Sequence, residues 1–277
     1  MRRSRPPRAM LLALLLSCLG GAAQAQSYWH DDAGRAQYRL ELLKPFLDGV
    51  DESFLSGAAF LSGSYLVGTG IRLEAELPFS RASWPFVVVP GDVSGYLFGN
   101  PYLGLVLHRG ERALAFRAGL RLPLVGDLDG DYDLAPFTAG TVSDLDRIEA
   151  FFPNTVTGRV GMEWQKVQPG GLLLGLLIGS TVPIADDFGH ADWLGDYGLR
   201  IGYRGERIQV HGALTGRINL TSDDVNGLAE RTRHQVSAVV LFRSGTVRPE
   251  FMVRLPLDKE VRDQVPVVIG AGMRLVF

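Results

Sequence analysis

The sequence predicts an all-β fold: a single antiparallel up-and-down transmembrane β-barrel of about twelve strands. The first sign is strict alternation. In the last eleven residues Val267, Ile269, Ala271, Met273, Leu275 and Phe277 form one apolar side. Val268, Gly270, Gly272, Arg274 and Val276 form the other, so a period of two puts the sets on opposite faces of a strand. The second sign is the spacing of turns, tight ones alternating with long ones. The third is that no apolar run beyond the N-terminus is long enough for a spanning helix, and a chain that crosses a bilayer without helices must close its sheet.

Read along the chain, segments of barrel-strand length fall at 36–47, 54–66, 69–80, 99–109, 112–126, 155–167, 171–185, 193–204, 207–221, 231–243, 246–258 and 265–277. The clearest is Ile208 to Leu220, where Ile208, Val210, Leu214, Ile218 and Leu220 oppose Gln209, His211, Thr215, Arg217 and Asn219. The 54–66 segment has two candidate outward faces, so ten or fourteen strands are the alternatives. Tight joints at Val67-Gly68, Arg109-Gly110-Glu111, Gln168-Pro169-Gly170, Arg204-Gly205-Glu206 and Ser244-Gly245 each carry a hairpin glycine. They alternate with long connections near 81–98, 127–154, 186–192, 222–230 and 259–264. Leu77-Pro78, Leu122-Pro123, Val182-Pro183 and Leu255-Pro256 are expected at strand ends, where a residue that cannot donate to the ladder is tolerated. Trp164 and Tyr203 fall near one rim, Trp193 and Phe79 near the other, as aromatic girdles would.

The N-terminus reads as an export signal. Arg2, Arg3, Arg5 and Arg8 precede an apolar core, Met10 to Leu19, that is too short to span a bilayer. Ala23-Gln24-Ala25 fits the small-x-small cleavage pattern, giving a removed segment 1–25 and a barrel domain 26–277 that begins at Gln26. Lipidation of Cys18 is the alternative, and the Leu before Ser17 fits it poorly. With the leader gone the chain has no cysteine, which excludes disulfides and thiol chemistry. Twenty-four basic residues then face thirty acidic ones, a net charge of −6, which argues against nucleic acid as a partner.

These features carry a resemblance. A strand ending on an aromatic, with Met273, Leu275 and Phe277 on its apolar face, resembles the C-terminal assembly signal of bacterial outer-membrane β-barrels. The segment Ile71 to Phe79, ending Leu-Pro-Phe, and Gly99-Asn100-Pro101-Tyr102-Leu103-Gly104 are similar to outer-membrane transporters associated with aromatic-compound (phenol) degradation pathways, with Asn100 where Asp is expected. The resemblance implies an outer-membrane location after export, lipid, lipopolysaccharide and the outer-membrane assembly machinery as partners, and transport of a small solute. No cofactor is implied.

Strand parity places fourteen charges inside: Arg39, Glu41, Arg72, Glu74, Glu76, Arg117, Arg121, Arg159, Glu163, Arg200, Arg217, Glu250, Arg254 and Arg274. Nine are Arg and five Glu, so the expected lumen is positive inside a negative protein and would favour anions. The competing reading is a ladder of Arg–Glu pairs that holds a narrow barrel shut, because a barrel of this size lies between filled barrels and open porins. The function expected is passive passage of small solutes, anionic ones included; a plugged structural or surface-interaction barrel is the alternative. The 127–154 connection, the longest and acidic, is the expected constriction.

Other chemistries fit less well. Asp127, Asp129, Asp131 and Asp133 alternate as calcium ligands do, but Tyr132 and Thr138 stand where an EF-hand needs Gly and Glu. A barrel hydrolase would need a nucleophile beside a histidine. Of His30, His108, His190, His211 and His234, the Asp/His constellation to watch is His190 with Asp186, Asp187 and Asp192 in an outer loop, and it reads better as an acidic surface loop, so no enzyme is expected. A soluble β-sandwich remains the non-membrane alternative.

Overall fold

The computed structural model describes residues 35–49, 56–85, 92–109, 114–128, 130–185, 193–221 and 231–277. The expected leader 1–25, His30 and the His190 constellation lie outside the described residues. Among the described residues thirteen strands run antiparallel: β1 (Ala36–Phe46), β2 (Gly57–Gly68), β3 (Ile71–Pro85), β4 (Asp92–Phe98), β5 (Tyr102–Arg109), β6 (Leu114–Arg121), β7 (Val156–Val167), β8 (Leu172–Ala185), β9 (Leu194–Arg204), β10 (Ile208–Asn219), β11 (Thr232–Phe242), β12 (Val247–Pro256) and β13 (Val267–Val276). Twelve of them make the wall and β4 is an extra strand.

The wall closes on itself because β1 pairs with β13 from Gln37–Val276 to Phe46–Val267, and with β2 from Ala36–Tyr65 to Leu43–Ala58. The seam is reinforced at the C-terminus. The Phe277 carbonyl accepts from the backbone N–H of Arg35 at 2.7 Å, and its own N–H donates to Ala36 O at 2.9 Å. Its ring meets Tyr38 edge-on at 6.2 Å. Leu73, Leu105, Phe116, Leu120, Val210 and Ile269 point out of the wall, while their sequence neighbours point in. This is the belt that a lipid contact requires.

The predicted connection 81–98 is corrected by the structure. β3 does not end at Leu77-Pro78 but runs on to Pro85, and 92–98 returns beside it as β4. The lower half of β3, from Ile71 to Glu76, pairs with β5; the upper half, from Phe79 to Pro85, pairs with β4. Pro78 sits at the switch, where a missing ladder donor costs little, and its carbonyl accepts from Gly99 N–H at 2.9 Å. Phe79, Tyr96 and Phe98 gather their rings at this upper end.

The connection 127–154 folds inward. It holds a helix, α1 (Asp131–Ser143), and a 3₁₀ turn at Leu145–Ala150. Small residues let α1 lie close to the wall: Ala135 and Ala139 are buried against Ala82. Pro136 has no N–H for the Tyr132 carbonyl, and that carbonyl turns toward Gly95 on β4, where any Cβ would collide with it. A second, short helix, α2 (Lys259–Arg262), caps the β12–β13 connection.

Candidate functional site: the charged barrel interior

The inward segment reaches the wall through three kinds of contact. The first is a polar hook at the break between β4 and β5. Asn100 is fully buried there. Its Nδ2 donates to the carbonyls of Phe152 (2.6 Å) and Glu149 (3.3 Å), and its Oδ1 accepts from the N–H groups of Leu124 (2.8 Å) and Val125 (2.9 Å). A protonated or ionised Asp could not donate those two bonds in the same way, so the amide at this position matches the chemistry of the seat. Gly99 leaves room for the Ala150 carbonyl, which a Cβ would strike. At the root of the segment Asn154 Nδ2 donates to Asp127 Oδ1 at 2.7 Å. Asn100→Ala should loosen the segment by about 2–4 kcal/mol, the cost of leaving buried carbonyl and N–H groups unpaired. A lower urea midpoint for the exposure of residues 127–154, read by hydrogen exchange, would check it.

The second contact is apolar. Phe151 is buried among Phe60, Leu43, Ala58, Met252, Val265 and Val268, with its ring 6.0 Å from that of Phe60. Gly140 on α1 receives the other side of the ring, 2.7 Å from where a Cβ would stand.

The third is ionic and occupies the middle of the barrel. Arg147 is 1% exposed and lies 3.6 Å above the Phe60 ring. Its guanidinium reaches Glu41 Oε2 on β1 and Glu76 Oε2 on β3, both at 2.9 Å, and pairs with Asp144 of its own segment. Arg254 on β12 bridges the same group, to Glu41 at 2.7 Å and Asp144 at 2.6 Å. Two residues on, Glu149 points the other way. Arg217 on β10 holds its Oε2 at 2.7 Å, while Arg159 on β7 and Arg121 on β6 stand 3.7 and 3.8 Å from Oε1. Arg217 and Arg159 also share Asp196 on β9, at 2.7 and 3.3 Å. Arg121 bonds Glu76 and so joins the two clusters. Asp146 accepts from Thr215 Oγ1 at 3.0 Å.

The remaining sequence-predicted charges are also buried or nearly so. Arg39 pairs with Glu41 (3.1 Å) and Glu250, and Arg274 reaches Glu250 at 2.7 Å. Arg117 stands between Glu74 (3.2 Å) and Glu163 (3.9 Å). Arg72 donates to Ser64 Oγ at 2.7 Å, and Arg200 to Gln165 Oε1 at 2.9 Å. Met273 lies on the outer face of β13, Phe277 is exposed just beyond its end and Leu275 is half-buried between them.

Sequence reading missed six residues of this interior: Asn100, Asp144, Asp146, Arg147, Glu149 and Asp196. Asp196 was within reach, since it shares the parity of Arg200 on one strand. The run Asp144-Leu145-Asp146-Arg147-Ile148-Glu149 shows its charges openly, but nothing in it says that they fold inward.

The charges of the inward segment titrate according to their neighbours. Burial works to raise Asp144, yet Arg147 and Arg254 outweigh it and hold the carboxyl below the ordinary range. Burial also opposes ionisation of Glu149, and Arg217, Arg121 and Arg159 outweigh it. At Asp146 burial and the nearby Asp144 charge win over Arg254 and Arg217, pushing the carboxyl up to about 6. A seated segment then keeps a proton that a released one gives up near the ordinary value of 3.8. The stabilisation from this group is full below 3.8 and is lost as pH rises through 6. Bilayer recordings should therefore show the barrel more firmly shut at pH 5 than at pH 7, with the difference abolished by Asp146→Asn.

A closed wall of alternating strands, an apolar outer belt and a charged interior define a bacterial outer-membrane β-barrel in fold. No protein-family model matches the chain, and no curated protein matches it. Among solved structures, an outer membrane channel from Pseudomonas putida F1 is similar, with a TM-score of 0.58 at 14% identity, covering 92% of this chain and 100% of that one. The CymD monoaromatic hydrocarbon channel has a TM-score of 0.49 at 9% identity, over 88% of this chain and 89% of its own. The translocator domain of autotransporter NalP from Neisseria meningitidis has 0.48 at 12%, over 97% and 96%.

Proposed function

We infer that this chain is an outer-membrane channel for small anionic solutes, held shut at rest by its own 127–154 segment. One observation carries the reading: the interior charge is divided unequally between wall and segment. The wall contributes nine arginines (39, 72, 117, 121, 159, 200, 217, 254 and 274) against Glu41, Glu74, Glu76, Glu163, Glu250 and Asp196, an excess of three positive charges. The segment contributes Asp144, Asp146 and Glu149 against Arg147, two net negative charges. Seated, it nearly neutralises the wall. Displaced, it uncovers a positive lumen whose low-dielectric surroundings would concentrate anions.

The manner of attachment supports a movable closure. Paired strands build the wall, whereas side-chain contacts and the Asn100 hook hold the segment, which begins and ends at the neighbouring strands β6 and β7. Export through the 1–25 leader, assembly through the Met273, Leu275, Phe277 face and contact with lipopolysaccharide complete this reading.

The zero-current potential of the refolded chain in a planar bilayer under a KCl gradient tests it. Anion preference is expected, and Arg117→Glu should weaken it because it reverses one wall charge without touching the segment. Cation preference would overturn the lumen assignment. Silence from a barrel shown by gel mobility to be folded would favour the structural-barrel alternative.

A further inference from the structure

The place where Glu149 sits is itself a binding site. We propose that Arg121, Arg159 and Arg217 form a seat for the carboxylate of a permeating organic acid, which the Glu149 side chain fills while the barrel is shut. The inference rests on the channel reading above and names its substrate class.

Three features of the seat carry it. Guanidinium groups from β6, β7 and β10 converge on one carboxylate, and the wall alone supplies all three. The ligand they hold comes from the movable segment, so its departure leaves the seat in place. The grip is also uneven. Arg217 makes a close contact at 2.7 Å, but Arg121 and Arg159 stand 3.7–3.8 Å away, beyond hydrogen-bond reach. A free carboxylate, not tied to a backbone, could approach all three more closely.

Charge sets the ligand's sign. Glu149 is one of the carboxylates these arginines face, with Asp196 and Glu76 beside it. When the segment leaves, Glu149 goes with it, and a carboxylate anion restores what the arginines lose. Arg159 also borders a small cavity on the inner face of the wall, lined by Val106, Ala115, Met162 and Leu177 together with Arg117 and Glu163. A neutral molecule of the same shape would leave the arginines short of an anion, a desolvated charge imbalance that the site penalises.

A competing ligand stabilises the state that binds it, so a carboxylate that takes the seat favours the displaced segment. The test is single-channel recording of the refolded chain with potassium butyrate replacing KCl at constant ionic strength, and with butyramide added to KCl as the neutral control. Butyrate should raise the open probability about tenfold and butyramide should leave it unchanged. Arg159→Gln and Arg217→Gln should each abolish the butyrate response in barrels that gel mobility shows to be folded. Glu149→Gln should open without butyrate, and butyrate should then slow current through its vacant seat. Equal responses to butyrate and butyramide, or a butyrate response that survives both arginine variants, would overturn the seat. A channel that conducts but ignores butyrate would overturn it as well while leaving the channel reading intact. A barrel that never conducts, in any variant, would overturn both.

Discussion

Arg147→Met should unlock the barrel. The substitution keeps an apolar stem over the Phe60 ring but leaves Glu41, Glu76 and Asp144 without the guanidinium that joins them. Arg254 and Arg39 stay beside Glu41, Arg254 beside Asp144 and Arg121 beside Glu76, but none of them joins all three carboxylates. Breaking a buried pair by removing one partner costs about 3–5 kcal/mol. The segment escapes this cost by leaving, because Asp144 departs with it and the wall carboxylates gain access to water. The closed-to-open ratio should fall by roughly a hundredfold or more, read as long openings where the parent chain is mostly silent. Arg147→Lys should recover only part of the closure, since one ammonium cannot serve three carboxylates in a plane. Closure unchanged in Arg147→Met would mean that the ion pairs centre the segment without holding it.

Phe151→Ala should release the same segment by another route. The ring fills the space between Phe60, Met252, Val265 and α1, and truncating it leaves a cavity that the paired wall strands cannot collapse to fill. Phe-to-Ala changes of this kind cost about 3–5 kcal/mol. The readout can be chemical. Arg147 is a trypsin site inaccessible in the seated segment, so cleavage after Arg147 reports release. Trypsin should cut Phe151→Ala there far faster than the parent chain, with the wall left intact. Resistance equal to that of the parent would show that the Asn100 hook and the ion pairs suffice without the ring.

Much of the wall was legible in the sequence because a two-residue period leaves little freedom. Once Leu214 and Ile218 point outward, Thr215 and Arg217 must point inward, and β10 follows that rule. The same parity located the arginines of the interior. It failed at β4, because the run Trp84-Pro85-Phe86-Val87-Val88-Val89-Pro90 just before it is apolar without alternation and carries two prolines, so 81–98 as a whole reads as a connection. It failed for a different reason at the inward segment. Asp144, Arg147 and Glu149 carry no periodic signal, and a charged run in a long connection ordinarily belongs to solvent. Their burial depends on finding partners across the barrel, Glu41 in one direction and Arg217 in the other, separated from them by 106 and 68 positions. No local rule reaches that far. Acidity and length marked 127–154 as the constriction, but the arginine at its centre could be recognised only when the wall was in place.

If the 127–154 segment closes an arginine-rich lumen that is otherwise continuous, removing it should leave the barrel open. The most direct measurement compares the single-channel conductance of the full chain with that of a variant in which residues 130–152 are replaced by a short Gly-Ser link, after both are shown to be folded by heat-shifted gel mobility. Brief, rare openings are expected for the full chain and a steady, anion-preferring conductance for the variant. A folded variant that stays silent would contradict it, because the wall's own ion pairs would then be sufficient to seal the barrel.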